Sequence, residues 1–118
     1  MKAPIPEEEE NLIVDYIYTN YLINILENDN KLTGKLNFKI PEAYASLIED
    51  KLKILRTTLR KIKAELKSMN IKVADPEKDD IFIEYAYFPH GYEGKMRFWD
   101  AAMEYEGTRR LKELFGVK

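Results

Sequence analysis

Residues 87–99 read "YFPHGYEGKMRFW", and the fold turns on what they are: an active site, a recognition surface, or the corner where a strand turns into a helix. They hold the only histidine, the only tryptophan, two of five glycines and five of fourteen aromatics. In chain order, Tyr87 and Phe88 end a strand. Pro89 stops it, because proline has no N–H to give a ladder. Gly91 and Gly94 supply a bend, and Met96 and Trp99 then open a core-facing helical stripe. That helix is expected from about Lys95 to Phe115, with Met103, Leu111 and Leu114 continuing the stripe and Ala102 and Phe115 beside it. Gly107 weakens its middle by about 1 kcal/mol relative to alanine, so a kink or break there is in keeping. Gly116 is a natural stop.

Upstream, "IFIEYAYF" (81–88) and "IKVA" (71–74) are β-branched and aromatic, with turn chemistry, "DPEKDD", between them. Ile81, Ile83, Tyr85 and Tyr87 share the more apolar face, which should meet the helices; Phe82, Glu84, Ala86 and Phe88 share the other. Before the hairpin, Ile48, Leu52, Leu55, Leu59, Ile62, Leu66 and Met69 are spaced 4, 3, 4, 3, 4, 3, an unbroken heptad seam. It defines a helix from about Pro41 to Met69, opened by proline and closed near Asn70. An earlier helix is expected from about Glu7 to Glu27, with Pro6 and four glutamates at its positive end and Asn28, Asp29 and Asn30 ending it. Residues 31–40 form a linker whose alternating Leu36, Phe38 and Ile40 allow a short edge strand. The predicted architecture is α+β: two long helices, an antiparallel hairpin and a C-terminal helix (α-α-β-β-α), in a single domain over residues 1–118.

Two features favour a homodimer. Eleven of the fifteen residues in 12–26 are apolar, so helix 1 is either central in the fold or covered on a second side by a partner chain. A 29-residue helix 2 spans roughly 43 Å, whereas a compact domain of this length has a radius of gyration of roughly 13–14 Å. Helix 2 therefore bends near Thr57–Thr58 or extends its seam onto another subunit.

At 45% hydrophobic and 34% charged, the chain can build a core, and a net charge of −2 points to neither nucleic acid nor membrane. Charge is uneven: net −6 over residues 1–30, +7 over 31–72 and −3 over 73–118, which lets the acidic and basic parts attract. The absence of cysteine excludes disulfides and thiol chemistry and fits a cytoplasmic setting. The opening "MKAPIPEEEE" does not read as a signal peptide, and residues 12–26 are too short and polar to span a bilayer.

No catalytic set emerges, and no enzyme is expected. Ser46 and Ser68 both lie on helix 2, and nothing in the spacing brings either to His90. Asp75, Glu77, Asp79 and Asp80 are hard ligands, but Asp80 and Ala86 stand where a calcium loop needs glycine and glutamate. "GYEGK" matches neither glycine-rich phosphate motif. No cofactor and no metal are expected. Structure absorbs most of the opening stretch and leaves His90, Tyr92, Arg97 and Phe98 as the candidate interaction surface. The alternative is a nucleic-acid-binding face on helix 2: Lys51, Lys53, Arg56, Arg60, Lys61, Lys63 and Lys67. A basic helix before a hairpin loosely resembles winged-helix proteins, although phosphates would repel a wing ending in "DPEKDD".

Gly91-Tyr92, Gly94, the Met96–Trp99 run and Arg109–Arg110 resemble small proteins of low-GC Gram-positive bacteria, Bacillus-like, and of their phages and mobile elements. The likeness covers residues 91–115. It implies a source and a small cytoplasmic accessory role, and it carries over no activity and no catalytic residue. The expected function is a non-enzymatic protein–protein interaction module, homodimeric, with nucleic-acid regulation as the alternative.

Overall fold

The computed structural model describes residues 5–89 and 93–118. Pro6 and four acidic residues start α1 (Glu7–Thr33), and Pro41 and Glu42 start α2 (Pro41–Ser68). The α2 seam lies along α1 of the same chain: Leu52 and Leu55 pack with Leu22, Ile23 and Leu26, while Ile62 and Leu66 join Ile13, Ile17 and Tyr18. The two helices form an antiparallel hairpin. Asn28, Asp29 and Asn30 do not end α1, which runs six residues beyond Glu27. Their poor propensity is a weak preference that packing overrides.

The sheet lies at the other end of the hairpin from its tip, on the first half of α1. It is four-stranded and antiparallel: β1 (Ile71–Val73), β2 (Glu77–Asp79), β3 (Phe82–Pro89) and β4 (Gly94–Trp99). β1 and β2 lie along one edge of β3, paired Val73 to Tyr87 and Glu77 to Glu84. Between these pairs three residues, 74–76, face two, 85 and 86, which makes a β-bulge. Pro76 sits in the bulge, where no ladder donor is needed, and the Ala74 amide donates to the Ala86 carbonyl at 2.8 Å. "DPEKDD" is thus only partly a turn; the chain reverses at Asp80, with φ 54°, and Ile81, which is exposed rather than inward.

β4 corrects the expected start of the last helix. Residues 94–99 pair with β3 from Tyr87–Gly94 to Phe82–Trp99, and α3 runs only from Asp100 to Phe115. Met96 and Phe98 face the core, while Lys95, Arg97 and Trp99 face outward. α3 crosses Gly107 without a break. A Cβ there would sit 2.9 Å from the Tyr21 ring, so glycine permits close approach to α1. Left-handed residues close both helices as read: Asn70 (φ 58°) after α2 and Gly116 (φ 74°) after α3.

α1 is therefore central. α2 covers one side, and the sheet and α3 cover the other, with Met103 fully buried between them. Leu111, Leu114 and Phe115 of α3 pack on the second half of α1. Both features that favoured a partner subunit are met within one chain. The chain is also more elongated than a compact domain of its length: the radius of gyration is 16.2 Å and the long axis 56 Å, enough for an unbroken α2. The class is α+β in the expected order of helix, helix, strands, helix. No helix among the described residues is long and apolar enough to cross a membrane.

Candidate functional site

His90 and Tyr92 lie outside the described residues. Arg97 and Phe98, neighbours in sequence, fall on opposite faces of β4. Phe98 is half-buried, edge-to-face with Tyr18 and Tyr85, each 5.9 Å away, so it belongs to the inner face of the sheet. Burial around that cluster pushes the Tyr85 phenol up to about 12. Arg97 is exposed and lies 4.3 Å over the Phe82 ring, which in turn meets Trp99 at 4.9 Å. Arg97 and Phe98 thus belong to different faces of the sheet.

The seven α2 bases also separate. Lys53, Arg56, Arg60, Lys63 and Lys67 are spaced 3, 4, 3, 4 and so share one flank beside the seam. Lys51 lies on the other flank, 3.8 Å from Asp50, and Lys61 points away from the hairpin. Arg56 pairs with Glu27 at 3.0 Å and Glu49 at 3.5 Å, tying α2 to α1. Among the described residues, Lys53, Arg60, Lys63 and Lys67 have no carboxylate within ion-pair distance. Lys63 and Lys67, with Lys72 of β1, border a groove of about 460 Å³ beside Tyr16. Burial, and then the charge of Asp75, hold the Tyr16 phenol above its ordinary value.

Arg109 and Arg110 of α3 are occupied. Glu106 accepts two hydrogen bonds from Arg109, at 2.8 and 2.9 Å, and one from Arg110 at 2.7 Å. Those contacts, Arg109's first, bring its carboxyl down to about 2. Arg110 also reaches Asp15 at 3.2 Å and covers the Tyr18 ring at 4.7 Å, so it fastens α3 to α1. Among the described residues no three His, Asp or Glu side chains group closely enough to hold a metal ion.

One site escaped the sequence reading. At the tip of the helical hairpin, Leu32, Leu36, Phe38, Tyr44 and Ile48 line a groove of about 250 Å³, with Asp29 its only charged wall among the described residues. Phe38 and Tyr44 rings lie 5.0 Å apart. Among the described residues, six of the twelve exposed large hydrophobic side chains fall between Leu32 and Leu47, so this is the densest apolar surface described. Leu36, Phe38 and Ile40 carried the signal, a run of apolar residues in a linker. Their alternation resembled an edge strand, but among the described residues no strand lies at this end to pair with them.

Comparison with known proteins extends the resemblance over most of the chain. The family model described as "YhjD protein" matches residues 4–118. A Bacillus subtilis (strain 168) relative, "Uncharacterized protein YhjD", is 27% identical over 96 residues, covering 81% of this chain and 80% of the relative. No solved structure matches.

Proposed function

The chain belongs to the YhjD family, and for it we propose a non-enzymatic role exercised through protein contact: a small cytoplasmic accessory module that pairs with a second copy through the hairpin tip. The observation that carries this reading is the tip itself. Leu36, Ile40 and Tyr44 are 53%, 63% and 52% exposed around an apolar groove. A tip this apolar favours association, since buried apolar surface contributes ~25 cal/mol per Å². Lys31, Lys35, Lys39 and Glu42 lie at this same end of the hairpin, whereas Glu49 and Asp50 already stand beside Arg56 and Lys51. A two-fold axis through a patch that carries both signs allows a lysine of one copy to meet Glu42 of the other, which supports a second copy as the partner. The non-enzymatic part rests on the inventory: one histidine, no cysteine, and two serines at opposite ends of α2.

Light scattering at micromolar concentration tests it. The expected mass is twice the chain's 13.9 kDa. Ile40→Asp with Tyr44→Asp, both at exposed positions, should return it to the monomer with helicity unchanged. A wild-type mass near one chain at ~100 μM removes the reading.

A further inference from the structure

We propose that the basic stripe of α2, continued by Lys72, binds single-stranded nucleic acid: Lys53, Arg60, Lys63 and Lys67 follow the phosphates, and the groove beside Tyr16 takes an unstacked base. This surface is separate from the hairpin tip.

The spacing is the first observation. Four bases fall on one flank of a helix between residues 53 and 67, a run of ~21 Å at ~1.5 Å per residue. Like charges one turn apart oppose helix formation. The described residues offer these four no carboxylate within ion-pair distance. Arg56, in the same row, is held by Glu27 and Glu49, so the row's unneutralised charge lies mainly toward the sheet. A row of cations without counter-charges is an electrostatic track for a polyanion.

The groove is the second observation, and it selects the polyanion. Lys63, Lys67 and Lys72 border it, and Leu66, Ile71 and Tyr16 line it. An apolar bed with an aromatic side chain, rimmed by ammonium groups, suits a flat base attached to a charged backbone. Asp75 is close enough to Tyr16 to raise its phenol. Its charge keeps phosphate off the bed and leaves phosphate to the lysines. Beyond Lys72, exposed β2 carries Glu77 and Asp79 with Lys78 between them, a net negative edge that disfavours a second strand and so favours single-stranded over duplex ligand.

The test is fluorescence anisotropy of a labelled 20-nucleotide single strand, as DNA and as RNA, between 25 and 200 mM salt. Five contacts predict a log–log slope of about −3.5, a loss of affinity on the order of 10³-fold across that range. Lys63→Glu with Lys67→Glu should weaken binding at least ~10-fold and flatten the slope by about 1.4 or more. Lys61→Glu, off the stripe, should stay within ~2-fold. Tyr16→Leu should weaken binding several-fold at unchanged slope, as loss of stacking does. If the glutamate pair disturbs folding by circular dichroism, Lys63→Gln with Lys67→Gln replaces it. The proposal is overturned by no anisotropy change at 25 mM salt with 50 μM protein, or by equal losses from Lys61→Glu and the stripe pair. Displacement by poly-glutamate as effective as by unlabelled oligonucleotide overturns it too, by making the partner an acidic protein.

Discussion

Gly94→Ala tests the strand that the sequence conceals. Gly94 lies opposite Tyr87 in the β3–β4 ladder, and Tyr87 is only 2% exposed. A Cβ at residue 94 would stand 2.3 Å from Tyr87 Cζ, 2.5 Å from Cε2 and 2.6 Å from the hydroxyl. Real contacts at Cβ essentially never fall below 3.0 Å, so the ring or the strand must move. Expelling the ring forfeits its burial, up to ~4 kcal/mol for ~150 Å². Local overpacking costs ~1–3 kcal/mol and is the cheaper response. Restricting the unfolded chain returns ~0.4–1 kcal/mol. The net expectation is a destabilisation of about 1–2 kcal/mol, or roughly 4–10 °C in Tm. Urea unfolding followed by circular dichroism measures it. In a Tyr87→Leu background the same Gly94→Ala change should cost close to nothing, because the clash has gone. A neutral or stabilising Gly94→Ala in the wild-type background would refute the register of β4 and the reasoning with it.

Two further outcomes follow from α3. Met103 is fully buried against α1 and the sheet, so Met103→Ala should cost ~2–5 kcal/mol in the same assay; below ~1 kcal/mol, α3 is not packed as described. Glu106 is held down at about 2 against an ordinary 4.5, so its contribution is complete above pH 4.5 and drains away as pH falls toward 2. The full shift is worth ~3 kcal/mol; with the side chain 28% exposed, about 1 kcal/mol is expected. Glu106→Gln should therefore lower stability by about that much at pH 7 and little at pH 2, and an acid limb identical to wild type contradicts the assignment.

How much was legible varied with the kind of signal. The α2 seam was readable because seven residues repeat one period over three heptads. Asn70 and Gly116 were readable because a left-handed residue is a local requirement. The end of α1 was not, since Asn28–Asn30 express a weak preference that neighbouring packing outweighs. Residues 94–99 were ambiguous: Met96, Trp99 and Met103 mimic a helical stripe, while Met96 and Phe98 against Lys95, Arg97 and Trp99 alternate as a strand. The tip groove was invisible as a site because its two walls come from different helices. So was the division of the α2 bases, since the acids that occupy Arg56 include Glu27 of another element.

The sequence by itself determined the α+β class, the element order, the α2 seam and the absence of thiol chemistry, because each rests on composition or on a repeat within one segment. The tertiary structure alone decided that α1 is central and that its second face belongs to the sheet and α3 rather than to a partner chain. It also turned "GKMRFW" into a strand. A six-residue segment gains little from its own periodicity and much from the open edge of β3, where its backbone groups find partners. In "YFPHGYEGKMRFW" the only tryptophan consequently stands on the outer face of the sheet, 57% exposed, and not in the core its spacing implied.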